Sequence, residues 1–251
     1  MTPLDRDRQR RRWGDARRLD RLDTEAIEGF ARGGLGALVE ALDLRIRFLP
    51  ADPLAAAVRL DGEAEEWLSE SRPSPYGGRE PELGQSKRAT SSALVRYDRY
   101  RDDQGWTRFV ALHRDGSLDF GEGSSIGEFR GGRSVRLRPL VGLVWHLAAM
   151  QVEAVEHWSI EGPFEVSVAL AGVEGAGLGG FAEGWRDVGD MFWDAPTCVE
   201  PNVLLRFECE VLDPEALAVD VGERLENTFG STHRRFVANR GDFEARFDPR
   251  F

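Results

Sequence analysis

The sequence predicts an α+β fold: an antiparallel sheet packed against a mostly buried central helix, with a helical N-terminal segment ahead of it. Three observations predict it. Apolar residues recur with a period near 3.6 before residue 72 and with a period of 2 after residue 90. The stretch Pro139–Trp158 is apolar around most of its circumference. Asp115-Gly116 stands between two apolar runs as a hairpin turn signal.

Taken in order, Ile27, Phe30, Leu35, Leu38 and Leu42 fall at helical spacing, with Gly29, Gly33, Gly34 and Gly36 working against the helix. Asp52-Pro53 reads as an N-cap and first-turn proline opening a helix over Leu54–Leu60, and a short helix at Glu63–Glu70 would present Trp67 and Leu68. The stretch 72–90 is rich in Pro, Gly and charge and reads as a linker. The expected organisation is therefore a helical segment with a basic arm over 1–72, a linker over 73–90 and an α+β domain over 91–251.

Beyond the linker, Ala93, Val95 and Tyr97 alternate with Leu94, Arg96 and Asp98, Trp106–Leu112 forms a second run, and the Asp115-Gly116 turn leads into Leu118 and Phe120. This predicts a three-stranded antiparallel meander. A Gly-rich loop and a short strand near Val135–Leu137 come next. In Pro139–Trp158 the residues Leu140, Val141, Val144, Leu147, Val152, Ala154 and Val155 leave a narrow polar arc holding His146, Glu153 and His157, so the helix should be largely buried. Phe164, Val166, Val168 and Leu170 line one face of a strand. Val203, Leu205, Phe207, Cys209 and Val211 line one face of another, with Arg206, Glu208 and Glu210 opposite, which aims Cys209 at the core. Asp213-Pro214 caps a last helix through Leu217, Val221, Leu225 and Phe229, and Gly230 ends it.

Composition narrows the class. Seven Trp and fourteen Phe supply the large apolar side chains that disordered chains lack. Two cysteines, Cys198 and Cys209, are too few for a zinc site or a disulfide scaffold and read as structural thiols of a reducing compartment. No apolar run is long enough to cross a membrane, and MTPLDRDRQRRRW lacks the apolar stretch of a signal peptide, which points to a cytoplasmic protein. Lys87 is the lone lysine among many arginines, a bias expected of a GC-rich bacterial genome. The net charge is −11, although residues 1–22 are basic. An acidic body repels phosphate, so nucleic-acid contact would fall to Arg10, Arg11, Arg12, Arg17 and Arg18. Asp7–Arg11 and Arg11–Asp15 at i,i+4 read more simply as pairs on a solvated helix.

Two catalytic patterns match in letters and fail in context. Gly123-Ser124-Ser125-Ile126-Gly127 fits G-x-S-x-G, with Asp187, Asp190 or Asp194 and then His233 further along, but the continuation EFRGGRSVRLRP does not start the helix that motif requires. Gly175-Ala176-Gly177-Leu178-Gly179-Gly180 fits G-x-G-x-x-G, yet Gly184 and Gly189 interrupt the helix that should come after it. Both read as loops. Glu153 and His157 at i,i+4, with His146, could ligate a divalent ion, although the arc is also simply where a buried helix meets water. No cofactor or metal is expected. The segment 181–201 sets Trp185, Phe192 and Trp193 among Asp187, Asp190 and Asp194 without a regular period, a mixture suited to a cationic, sugar-like or peptide ligand.

Three stretches, FVALHRDGSLDFG (109–121), GPFEVSVALAGVEGAGLG (162–179) and ERLENTFGSTHRRFVANRGDF (223–243), together resemble the C-terminal region of bacterial Schlafen/AlbA-type DNA-binding proteins, the last through Asn227, Gly230, Arg235 and Asn239. The resemblance spans about residues 90–245. In that family the nucleic-acid function belongs to a separate N-terminal domain that this chain does not carry. The resemblance thus implies an accessory or sensing module of a bacterial regulatory or defence-type system, and transfers no catalytic residue. The leading expectation is a non-catalytic binding module whose partner is another protein, with a small ligand at the 181–201 loop as a second option. The competing classes are a hydrolase using Ser125 and His233, a metal-dependent enzyme using His146 and His157, and a nucleic-acid binder using the N-terminal arm.

Overall fold

The computed structural model describes residues 43–50, 57–70, 72, 83–90, 92–99, 106–123, 125–129, 132–179 and 197–230. Ten strands and three helices are described: β1 (Leu44–Pro50), α1 (Gly62–Ser69), β2 (Ser86–Ala89), β3 (Ala93–Arg99), β4 (Trp106–His113), β5 (Leu118–Glu122), β6 (Ile126–Phe129), β7 (Gly132–Arg136), α2 (Leu137–Trp158), β8 (Phe164–Ala171), β9 (Gly177–Gly179), β10 (Asn202–Cys209) and α3 (Pro214–Thr228). Seven strands form one sheet in the order β10-β8-β1-β5-β4-β3-β2, all antiparallel. A small second sheet, β6-β7-β9, pairs β7 with β9 in parallel.

The α+β mixture and the large antiparallel sheet agree with the sequence reading. So does the meander, whose β4–β5 turn closes through Asp115: its carboxylate accepts the Ser117 backbone N–H at 2.8 Å and the Ser117 hydroxyl at 2.5 Å. Gly116 takes φ +84° there, and a Cβ on it would lie 2.5 Å from Ile160 Cδ1, so the turn needs glycine for both conformation and space.

Period-2 alternation sorts each strand between the two faces of the sheet. Leu44, Ile46 and Phe48 of β1, Val110 and Leu112 of β4, Leu118 and Phe120 of β5, and Val166, Val168 and Leu170 of β8 share one core with the buried faces of the helices. α2 is the largest contributor, burying Val141, Val144, Leu147 and Ala148 completely. It ends on Ser159 in the left-handed region, with Ile160 N–H returning to Val155 C=O. Gln151 Nε2 donates 3.0 Å to Gly116 C=O and so ties the helix to the β4–β5 turn. α3 keeps its expected limits: the Asp213 carboxylate accepts the N–H groups of Glu215 and Ala216, and Gly230 turns out of the helix at φ +73°. The opposite face of the sheet is closed as well, since Leu49, Val95, Phe109 and Ala111 are buried.

Five expectations are corrected. The helical segment placed over 1–72 contains a strand, because β1 pairs over its full length with β8 and also with β5. Within the helix expected at Leu54–Leu60, residues 57–60 are not helical; Val58 N–H is taken by Arg114 C=O at 2.9 Å and its side chain enters the core. Ser86–Ala89, inside the expected linker, is a strand paired with β3. His146, placed on the polar arc of α2, is 1% exposed, which leaves Glu153, Glu156 and His157 as the wet residues of that arc. Cys209 is half-buried against the core and Val211 is exposed, so the alternation of β10 fades at its end.

Candidate functional site

Two constellations stand out among the described residues, one buried and one open. The buried one grows from β1. Arg45 and Arg47 alternate with Leu44, Ile46 and Phe48 and so turn to the face away from the helices. On β5 the same face receives Asp119, which is paired in register with Arg47. Arg45 grips the Asp119 carboxylate with two nitrogens, Nε on Oδ1 at 3.0 Å and a terminal nitrogen on Oδ2. At the end of β4, His113 joins them, 1% exposed, and Asp115 comes next in the turn.

Charge and burial set the protonation of this group. Burial, and after it the positive charge of Arg47, lowers the His113 imidazole from an ordinary 6.5 to about 4, although Asp119 and Asp115 pull the other way. Burial would raise Asp119, but the charge and hydrogen bonds of Arg45 outweigh it and hold the carboxyl below its ordinary value. At neutral pH the site is thus a neutral imidazole among two guanidiniums and two carboxylates. A base titrating so far below neutrality is poorly matched to proton abstraction. What the structure shows it doing is tying β1 to β5 through Arg45 and Asp119.

The open constellation lies over α1. Asp61 accepts the N–H groups of Glu63 and Ala64 and starts the helix. The helix buries Ala64, Trp67 and Leu68 and leaves Glu63, Glu65 and Glu66 in water. Trp67 is locked in place: its ring meets Trp158 edge-on at 4.9 Å, and the Arg72 guanidinium lies 4.3 Å from its centroid. Arg72 also binds Glu153 of α2. Above Trp67 opens a groove of about 730 Å³, lined by α1, by Lys87 of β2 and by His157 of α2. Glu63 Oε1 is 3.0 Å from His157 Nε2, and Glu65 Oε1 is 3.5 Å from Lys87 Nζ. Glu66 and Glu70 complete four carboxylates against Lys87 and His157, with the Arg72 guanidinium 3.8 Å from Glu70 Oε2. The groove is thus predominantly acidic among the described residues.

Among the residues weighed from sequence, Ser125 lies in the turn between β5 and β6. Its N–H and that of Ile126 donate to the Asp43 carboxylate at 3.0 and 2.9 Å, and its hydroxyl lies 3.2 Å from Glu122 Oε2. A strand, β6, comes directly after it, so the strand-to-helix elbow is not formed. Gly177–Gly179 of the second glycine motif is strand β9, beside β7. Glu153 and His157 face separate partners, Arg72 and Glu63, and His146 is buried, unlike either of them. No three His, Cys, Asp or Glu among the described residues converge in a way suited to a metal ion. Trp185, Asp187, Asp190, Phe192, Trp193, Asp194, His233, Arg10, Arg11, Arg12, Arg17 and Arg18 lie outside the described residues. Among the described residues, no helix is long and apolar enough to cross a membrane.

Sequence reasoning missed the buried constellation, and of the open one it singled out Trp67 and His157 but not the ring of carboxylates. The alternation of LRIRF is a period-2 signal that would have found Arg45 and Arg47; nothing local links them to Asp119, 74 residues on from Arg45. Comparison of the chain with family models, with curated proteins and with solved structures returns no match.

Proposed function

We propose that this chain is a non-catalytic interaction module that receives a cationic segment of a partner protein in the groove over α1. The observation that carries the reading is the ring of Glu63, Glu65, Glu66 and Glu70 around an open groove, on a chain of net charge −11. Complementary charge steers association and selects among partners. Trp67, pinned by Trp158 and Arg72, gives the groove a rigid floor that costs little ordering on binding. The resemblance of residues 109–121, 162–179 and 223–243 to the Schlafen/AlbA C-terminal region supports the same class, an accessory module acting through a partner.

Fluorescence anisotropy of the full chain against a labelled Arg-rich peptide, with a Glu-rich peptide of equal length as control, tests it. Only the Arg-rich peptide should bind, and raising salt should weaken it. Exposed pairs contribute a few tenths of a kcal/mol each, so the combined Glu65→Gln, Glu66→Gln, Glu70→Gln variant should bind about fivefold more weakly. Equal affinity for both peptides, or a triple variant that binds like the wild type, would remove the groove from consideration.

A further inference from the structure

Among the described residues, three large hydrophobic side chains are exposed: Val199 at 79%, Leu204 at 55% and Val211 at 82%. Leu204 is in β10 and the other two flank it. Only Leu204 of the three belongs to the strand itself, so the case for an interaction surface rests on the backbone of its edge. Among the described residues, β10 is also the terminal strand of the seven-stranded sheet.

The backbone of β10 shows which groups this edge offers. Ala171 N–H donates to Asp43 C=O on the β1 side, so its strand neighbours Leu170, Val168 and Val166 turn their backbone groups towards β10. There they meet Val203, Leu205 and Phe207. Leu204, Arg206 and Glu208 consequently turn their N–H and C=O groups outward. Arg224 of α3, braced by both oxygens of Asp220, donates 3.2 Å to Arg206 C=O and stacks 4.3 Å from the Phe207 centroid. A carbonyl oxygen has two lone pairs, so even this position keeps one acceptor site. An edge strand of eight residues with apolar flanks is a template for another strand.

We infer that the occupant of this edge is a second copy of the chain, its β10 lying antiparallel to the first about a two-fold axis. The side chains favour one register. With Phe207 opposite its counterpart, Arg206 of each copy faces Glu208 of the other, giving two reciprocal ion pairs. Moving the axis to Arg206 sets arginine against arginine. The Arg206 guanidinium is 46% exposed and its Nε lies 3.9 Å from Glu165 Oε1, a loose contact that leaves it able to reach across. The two sheets then run on as one, and the interface is isologous, as a closed dimer requires. An edge this short buries less than a standard interface, which makes the dimer a weak, concentration-dependent one.

Sedimentation equilibrium of the full chain over a series of rising concentrations tests the inference. The 28.1 kDa species should give way to one of twice that mass as concentration rises. Arg206→Glu or Glu208→Arg alone places like charges opposite each other and should weaken the dimer tenfold or more. The combined R206E/E208R variant should restore it. Both side chains are solvent-facing, so circular dichroism should show the fold unchanged in all three. A wild type that stays monomeric over this range overturns the inference, leaving the edge to a strand of another protein. A double variant no tighter than the singles overturns it too.

Discussion

His113 is held neutral at a cost that acid reveals. In the unfolded chain its imidazole takes up a proton near 6.5, whereas in the fold it does so only at about 4, held down by burial and by Arg47 and Arg45 against the pull of Asp119 and Asp115. Between those values the unfolded state binds more protons, so this group's contribution to stability falls as pH drops from about 6.5 to about 4 and is flat below. Asp119 acts further down: its contribution is complete above its ordinary 3.8 and is lost as pH falls through its lowered native value. Urea midpoints of wild type and His113→Gln at pH 7.5, 6 and 4.5 should converge as the pH falls. A constant gap would mean that His113 is not the neutral group. Asp119→Asn leaves Arg45 without its carboxylate; because the Arg45 side chain keeps 26% exposure, the expected loss is near the low end for a broken buried pair, about 3 kcal/mol.

At the level of single elements, legibility tracked locality. α3 was readable to within a residue because its signals are adjacent in the chain: Asp213 accepts two N–H groups just ahead of it, Pro214 needs no partner for its missing one, and Gly230 adopts the left-handed turn. Asp213→Ala should cost about 1 kcal/mol in a urea titration with the m-value unchanged. α2 was readable for the same reason, apart from His146, whose burial depends on what packs beside the helix and not on its own periodicity. β1 was misread because the helical phase of Ile27–Leu42 was carried on into LRIRFLP; what makes it a strand is its pairing with β5 and β8. Neither pairing is local.

For the whole molecule, the order β10-β8-β1-β5-β4-β3-β2 means that β1 joins two halves of the sheet. The elements on either side of the expected linker therefore share one core, and the groove over α1 exists only because α1, β2 and the end of α2 come together there. A fragment beginning at residue 91 lacks β1 and α1. It should show no cooperative unfolding transition by circular dichroism, and a sharp transition would mean that β5 and β8 can close without β1. The same arrangement bears on synthesis. β1 leaves the ribosome before either neighbour, since one comes with β5 and the other only with β8, whose Leu170 is the partner of Leu44. Until then Ile46 and Phe48 have nothing to cover them. Pairings so distant in sequence are slow to form and expose sticky surface while they wait. The nascent chain is thus a natural client for a holding chaperone until β8 has been made.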